Sequence, residues 1–132
     1  THALLWWVTD NPKLSAKAKA AMKGSLDAGE ELYYSAWSFV ELWYATEKPP
    51  ERPDRVSPER YRHVVDTIQD PESGFIVIHV DGPIAVRVSE IPREWTSDPG
   101  DRVIIATAQV LGATLVTRDT PHRFNADIDT LW

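Results

Sequence analysis

Apolar residues recur at helical spacing through most of this chain, and the interruptions coincide with caps, glycines and prolines. "PKLSAKAKAAMKGSLDAG" reads as a helix, with Ser15 as its N-cap and Gly29 as its stop. "ELYYSA" is a short aromatic strand, after which Ser35 or Ser38 is placed to cap "SFVELWYATEK", ending before Pro49 and Pro50. The proline-stiffened "PPERPDRVS" is linker-like and leads into the helix "PERYRHVVDTIQ". "GFIVIHV" reads as a buried strand, "GPIAVRVSEI" as a short helix, and "DPGDRVIIATAQVLGA" as a longer helix stopped by Gly112. "TLVT" and "IDTLW" are the last two strands. Strands alternating with helices predict an α/β sandwich around a mostly parallel sheet.

Composition narrows this picture without redirecting it. With 132 residues the chain suffices for one domain, 1–132, and is short for two. Hydrophobic residues at 42% and charged residues at 26% are ordinary for a globular protein. There is no cysteine, so disulfides and thiolate chemistry are excluded, which suits a reducing cytoplasm. No apolar run approaches the ~20 residues of a membrane span, and no signal peptide is visible. The net charge of −6 argues against a broad electrostatic footprint on nucleic acid. It leaves a nuclease open, because carboxylates that bind metal add to the negative count.

The acids repay closer reading. Asp98 before Pro99 is a helix-start pair, the carboxylate capping and the proline taking the first helical position. Asp101 follows in the first turn, where the helix dipole favours negative charge, so a structural and a functional reading compete there. A helix over about 99–111 spans ~20 Å. After Gly112 "TLVT" runs back ~13 Å, which returns Asp119 to the edge where Asp101 lies. That edge holds the carboxyl ends of the strands, where open α/β sheets place ligands. Asp119 alone would pass for a turn residue in "RDTP". Two carboxylates converging without a cation would repel. Glu41 lies near the same edge and is the only charged residue between Leu32 and Thr46. Its apolar neighbours Trp37, Phe39, Val40, Leu42 and Trp43 predict burial nearly all round, which calls for a partner or a function; a solvent-facing glutamate is the plainer alternative. Acid oxygens without His or Cys are the chemistry of Mg²⁺ or Mn²⁺.

"THALLWW", "SAWSFVE", "DPGDRVIIATA" and "TLVTRD", in this order and spacing, resemble the PIN-domain ribonucleases, and among them the VapC toxins of type II toxin–antitoxin systems. The resemblance spans essentially the whole chain. It implies a PIN-like α/β/α sandwich with a mostly parallel central sheet. It further implies a Mg²⁺- or Mn²⁺-dependent endoribonuclease acting on cellular RNA, restrained by a cognate VapB-like antitoxin and dimeric. The metal and catalytic acids it implies are Glu41, Asp101 and Asp119, with Asp98 and Thr117 in support. The family also carries an Asp at the end of a first strand, immediately ahead of the stretch matching "THALLWW". The sequence opens at Thr1, so that strand and acid are expected upstream of it.

Other features have plainer readings. Lys48, Arg52, Arg55, Arg60 and Arg62 suit RNA phosphates or an acidic antitoxin segment, but Glu51, Asp54 and Glu59 dilute the charge and favour a solvated surface. Arg102 suits a phosphate or a surface ion pair. His2, His63, His79 and His122 lack ligand spacing, and His79 reads as structural. Trp6, Trp7, Trp37 and Trp43 read mainly as core, any exposed ones offering a groove for an antitoxin helix. Two other functions compete: a non-catalytic PIN-like binding module, and a phospho-acceptor receiver domain. The receiver needs a late lysine, and no Lys follows Lys48.

Overall fold

The computed structural model describes residues 1–118 and 128–132. Helix α1 (His2–Val8) is followed by α2 (Ala16–Asp27), β1 (Leu32–Ser35), α3 (Trp37–Thr46) and α4 (Pro58–Gln69). After a 3₁₀ turn at Pro71–Ser73 come β2 (Phe75–Ile78), α5 (Gly82–Glu90), α6 (Pro99–Leu111), β3 (Leu115–Val116) and β4 (Thr130–Leu131).

Local chemistry accounts for most boundaries. The Ser15 hydroxyl accepts the Ala18 N–H, Ser57 accepts from Arg60, and Asp81 accepts from Ile84. Each cap satisfies a donor that the first helical turn leaves unpaired. Pro58, Pro83 and Pro99 lie at helix starts, where no N–H is required. Gly112 ends α6 with φ 60°, a left-handed conformation that glycine adopts without steric penalty. The start of α3 departs from expectation: its N-cap is Ala36, not either serine. The Ser35 hydroxyl nonetheless accepts the Trp37 N–H at 3.3 Å, while Ser38 lies inside the helix.

Both strand pairs are parallel, β1 with β2 and β3 with β4. Helices α2 and α6 contact β1 and α4 contacts β2, an α/β/α order. Three apolar clusters hold it together. Ile84, Ile91, Trp95 and Ile105 join α5 to α6; Leu4, Leu42, Val64 and Ile68 join α1, α3 and α4; Trp6, Leu14, Ala18 and Met22 seat α1 on α2. Each fully buried Ile or Leu side chain contributes roughly 1.5–3 kcal/mol.

Two burial expectations are corrected. "GFIVIHV" is not a fully buried strand: β2 pairs only with β1 among the described residues, Ile76 is exposed, and His79 lies exposed beyond its end. Nor is α3 buried nearly all round. Only Ser38, Leu42 and Thr46 are buried, whereas Val40, Trp43 and Tyr44 are exposed. Apolar composition without a strong helical stripe cannot say which face meets the core. Among the described residues β1 and β3 each pair on one side, and a cavity of about 570 Å³ borders both strands and α6.

Gly24 lies in the interior of α2 with open space where a Cβ would stand. Gly24→Ala is therefore expected to stabilise the protein by about 0.5–1 kcal/mol, read from the denaturant midpoint, because alanine loses less backbone entropy in a helix. No helix among the described residues is long and apolar enough to cross a membrane.

Candidate metal centre

The starts of α3 and α6 meet, and the acids they carry converge. Glu41, Asp98 and Asp101 each offer a carboxylate oxygen, all within 4.8 Å of one another. Glu41 and Asp101 are half-buried and Asp98 is exposed. Asp98 Oδ1 accepts the N–H groups of Gly100 at 2.8 Å and Asp101 at 3.0 Å, so the residue caps α6 as its place before proline predicts. Its second oxygen is not used by the cap. The structural and functional readings of Asp98 are thus compatible in one side chain.

Hydroxyl groups orient the other two acids. The Thr1 side chain donates to Glu41 Oε2 and lies 3.1 Å from the buried Ser38 hydroxyl. Glu41 thereby finds the partner that its apolar surroundings require, and it comes from the chain start rather than from a Lys or Arg. Thr1 makes no side-chain cap bond for α1; its hydroxyl turns to Glu41 instead. Thr96 Oγ1 donates to Asp101 Oδ2 at 3.2 Å and accepts the Asp98 N–H at 3.1 Å. Neither threonine was legible as a site residue, because each acts across a loop or a packed interface.

Gly100 permits the convergence. A Cβ there would collide with the Glu41 carboxylate and stand 2.5 Å from the Trp37 indole nitrogen. The glycine is buried at the contact, and only hydrogen in place of a side chain lets α3 and α6 approach this closely.

The acids line a cleft of about 820 Å³ that Thr117 also lines. Asp119 lies outside the described residues. Cations occupy other parts of the cleft: Lys13, Lys48, Arg55, Arg60 and Arg118 all line it. Arg118 sits over the Trp6 ring, 5.0 Å from its centroid. Asp54 pairs with Lys48 and Arg52, and those hydrogen bonds hold its carboxyl well below the ordinary range. Among the described residues Arg102 forms no salt bridge. Its guanidinium donates to the Val88 carbonyl at 2.9 Å, tying α6 to α5.

Three hard anionic donors without nitrogen or sulfur suit a divalent cation such as Mg²⁺ or Mn²⁺. Carboxylates this close repel in the absence of positive charge. The donor set therefore fits such an ion.

A strand-and-helix fold with an acid cluster at the starts of α3 and α6 defines the class. The chain belongs to the PIN domain family, whose model matches residues 1–125. It is 29% identical over 135 residues to Ribonuclease VapC22 of Mycobacterium tuberculosis, covering all of this chain and 95% of that relative. The fold is similar to a chain in the crystal structure of VapBC2 from Rickettsia felis bound to a DNA fragment from their promoter. That match has a TM-score of 0.69 and 15% identity over 98% of this chain and 92% of the other.

Proposed function

We propose that this protein is an endoribonuclease and the toxin of a type II toxin–antitoxin system, hydrolysing RNA phosphodiester bonds in the cytoplasm with Mg²⁺ or Mn²⁺. The observation that carries this reading is the carboxylate triad Glu41, Asp98 and Asp101 lining a partly cationic cleft in a PIN-family chain. Similarity to a relative named as a ribonuclease supports RNA as substrate. Glu41, Asp101 and Asp119 are the proposed metal ligands and catalytic acids, with Asp98 and Thr117 in support. When bound, the ion lowers the pKa of water and offsets charge on the phosphate. The Thr1 and Thr96 hydroxyls restrict Glu41 and Asp101 to rotamers that face one another. In the hydrolysis the water oxygen bonds to phosphorus, the bond to the ribose oxygen breaks, and that oxygen leaves with a proton.

The proposed partners are a cognate antitoxin protein and a second copy of this chain. The exposed apolar side chains of Val40 and Trp43 supply surface for such contacts.

The test is cleavage of single-stranded RNA by the full chain with Mn²⁺, with Mg²⁺ and with EDTA, alongside calorimetric titration with Mn²⁺. Cleavage should require the cation, and Glu41→Gln should weaken Mn²⁺ binding at least tenfold, as loss of a ligand or its support does. Undiminished cleavage in EDTA would remove the metal from the mechanism. RNA bound but uncut with either cation would leave a non-catalytic binding module.

A further inference from the structure

The acid cluster lines its cleft together with further residues of α3. Trp37, Glu41, Tyr44 and Lys48 follow one another at intervals of four, three and four residues, which places them on one side of the helix and its exit. All four line the cleft. Tyr44 stands about one turn beyond Glu41 and is 62% exposed. The aromatic ring contacts among the described residues involve Trp6, Tyr34 and Trp43, but not Tyr44. An exposed aromatic side chain lining the cleft, one helical turn from a proposed phosphate-cleaving site, has the form of a stacking surface.

The surrounding charge specifies what would stack. The chain as a whole carries −6, yet Lys13, Arg55, Arg60 and Arg118 line this cleft. Lys48 and Arg52 are compensated by Asp54, whereas Arg60 and Lys13 make no salt bridge among the described residues. Arg55 is held by the Lys48 carbonyl at 2.9 Å, which fixes its stem along the wall. A chain of bases alternating with phosphates complements an aromatic face beside uncompensated cations. Stacking on a protein ring requires an unpaired base, which favours a single strand over a duplex.

We infer that Tyr44 is a stacking platform for one base of a single-stranded RNA, the neighbouring phosphates of which are met by Arg60 and Arg55. The inference rests on the ribonuclease reading and adds to it how the substrate is held and why its bases must be unpaired. Tyr44 and Arg60 are positioning residues; the acids perform the chemistry.

The experiment measures kcat and KM of the full chain on a labelled single-stranded 12-mer with Mg²⁺, with duplex of the same sequence as competitor. Tyr44→Ala should raise KM about tenfold, the effect of losing one stacked base, with kcat within about twofold. Tyr44→Phe keeps the ring and should behave as wild type. Arg60→Gln should raise KM and flatten its salt dependence by about one phosphate contact. The duplex should compete poorly. A Tyr44→Ala variant with unchanged KM, or a Tyr44→Phe variant as impaired as Tyr44→Ala, would overturn the platform. So would a Tyr44→Ala variant that handles RNA normally but loses a protein partner. If wild type cuts no RNA, the nuclease reading fails separately. Fluorescence anisotropy of the same RNA then decides the platform: weaker binding by Tyr44→Ala retains it, and equal binding removes it.

Discussion

Asp101→Asn is expected to lower RNA cleavage by more than about 100-fold while leaving the fold intact. Loss of a group that merely orients a metal ligand costs 10–100-fold, and a proposed ligand should exceed that. Stability should change by no more than about 1 kcal/mol. The residue sits in the first turn of α6, where a negative charge contributes ~0.3–1 kcal/mol. Relief of repulsion from Glu41 and Asp98 offsets that loss. The Thr96 hydroxyl, which donates to Asp101, can rotate and accept from an amide instead. Asp98→Asn should be much milder. Its Oδ1 caps two backbone N–H groups, and asparagine caps about as well as aspartate. Single-turnover cleavage and thermal melts of both variants decide the matter. Equal losses of activity would make Asp98 a metal ligand of the same rank as Asp101.

Gly100→Ala is expected to damage both site and fold by adding a single methyl group. The new Cβ would meet the Glu41 carboxylate and the Trp37 indole at the closest approach of α3 and α6. Neither neighbour is the free end of an exposed chain: Glu41 is held by Thr1 and Trp37 is half-buried. Either the helices separate or Glu41 leaves the cluster. Overpacking of this kind costs about 1–3 kcal/mol. Displacing a reacting group by about 1 Å can cost on the order of 100-fold in rate. The contrast with Gly24→Ala, in an open helix interior, isolates close approach from helix propensity. A Gly100→Ala protein with wild-type melting and Mn²⁺ affinity would show that α3 and α6 tolerate separation.

Much of the molecule was legible in its sequence, and the reasons are local. A cap bond spans two or three residues, so Ser15 and Asp98 announce their helices from their immediate neighbours, and the Ser57 and Asp81 caps found in the structure act over the same range. Proline at the first helical position and the left-handed glycine at 112 act over the same range. The reversal between α6 and β3 is likewise short, which is why the start of α6, with Asp101, and the end of β3, leading to Asp119, could be assigned to one edge; Thr117 at that strand end lines the cleft with Asp101, and Asp119 lies outside the described residues. Candidate acids were visible because carboxylates in apolar or helix-start settings are conspicuous.

Tertiary packing decided the rest. Nothing within a few residues of Glu41 indicates that Thr1 will donate to it, or that Gly100 must lack a side chain to admit it. These contacts depend on how closely α1, α3 and α6 approach. The orientation of α3 was hidden for the same reason. Its composition is apolar all round, so only the helices packed against it determine that Leu42 is buried and Tyr44 faces the cleft. Arg102 shows the limit most simply: its sequence neighbours suggest a phosphate or a carboxylate, and the fold presents the Val88 carbonyl of another helix. Sequence determined the elements and the chemical type of the site because those follow from short-range backbone and side-chain chemistry. The assembly of that site, and the face each helix turns to it, follow from long-range packing that exists only once the chain has folded.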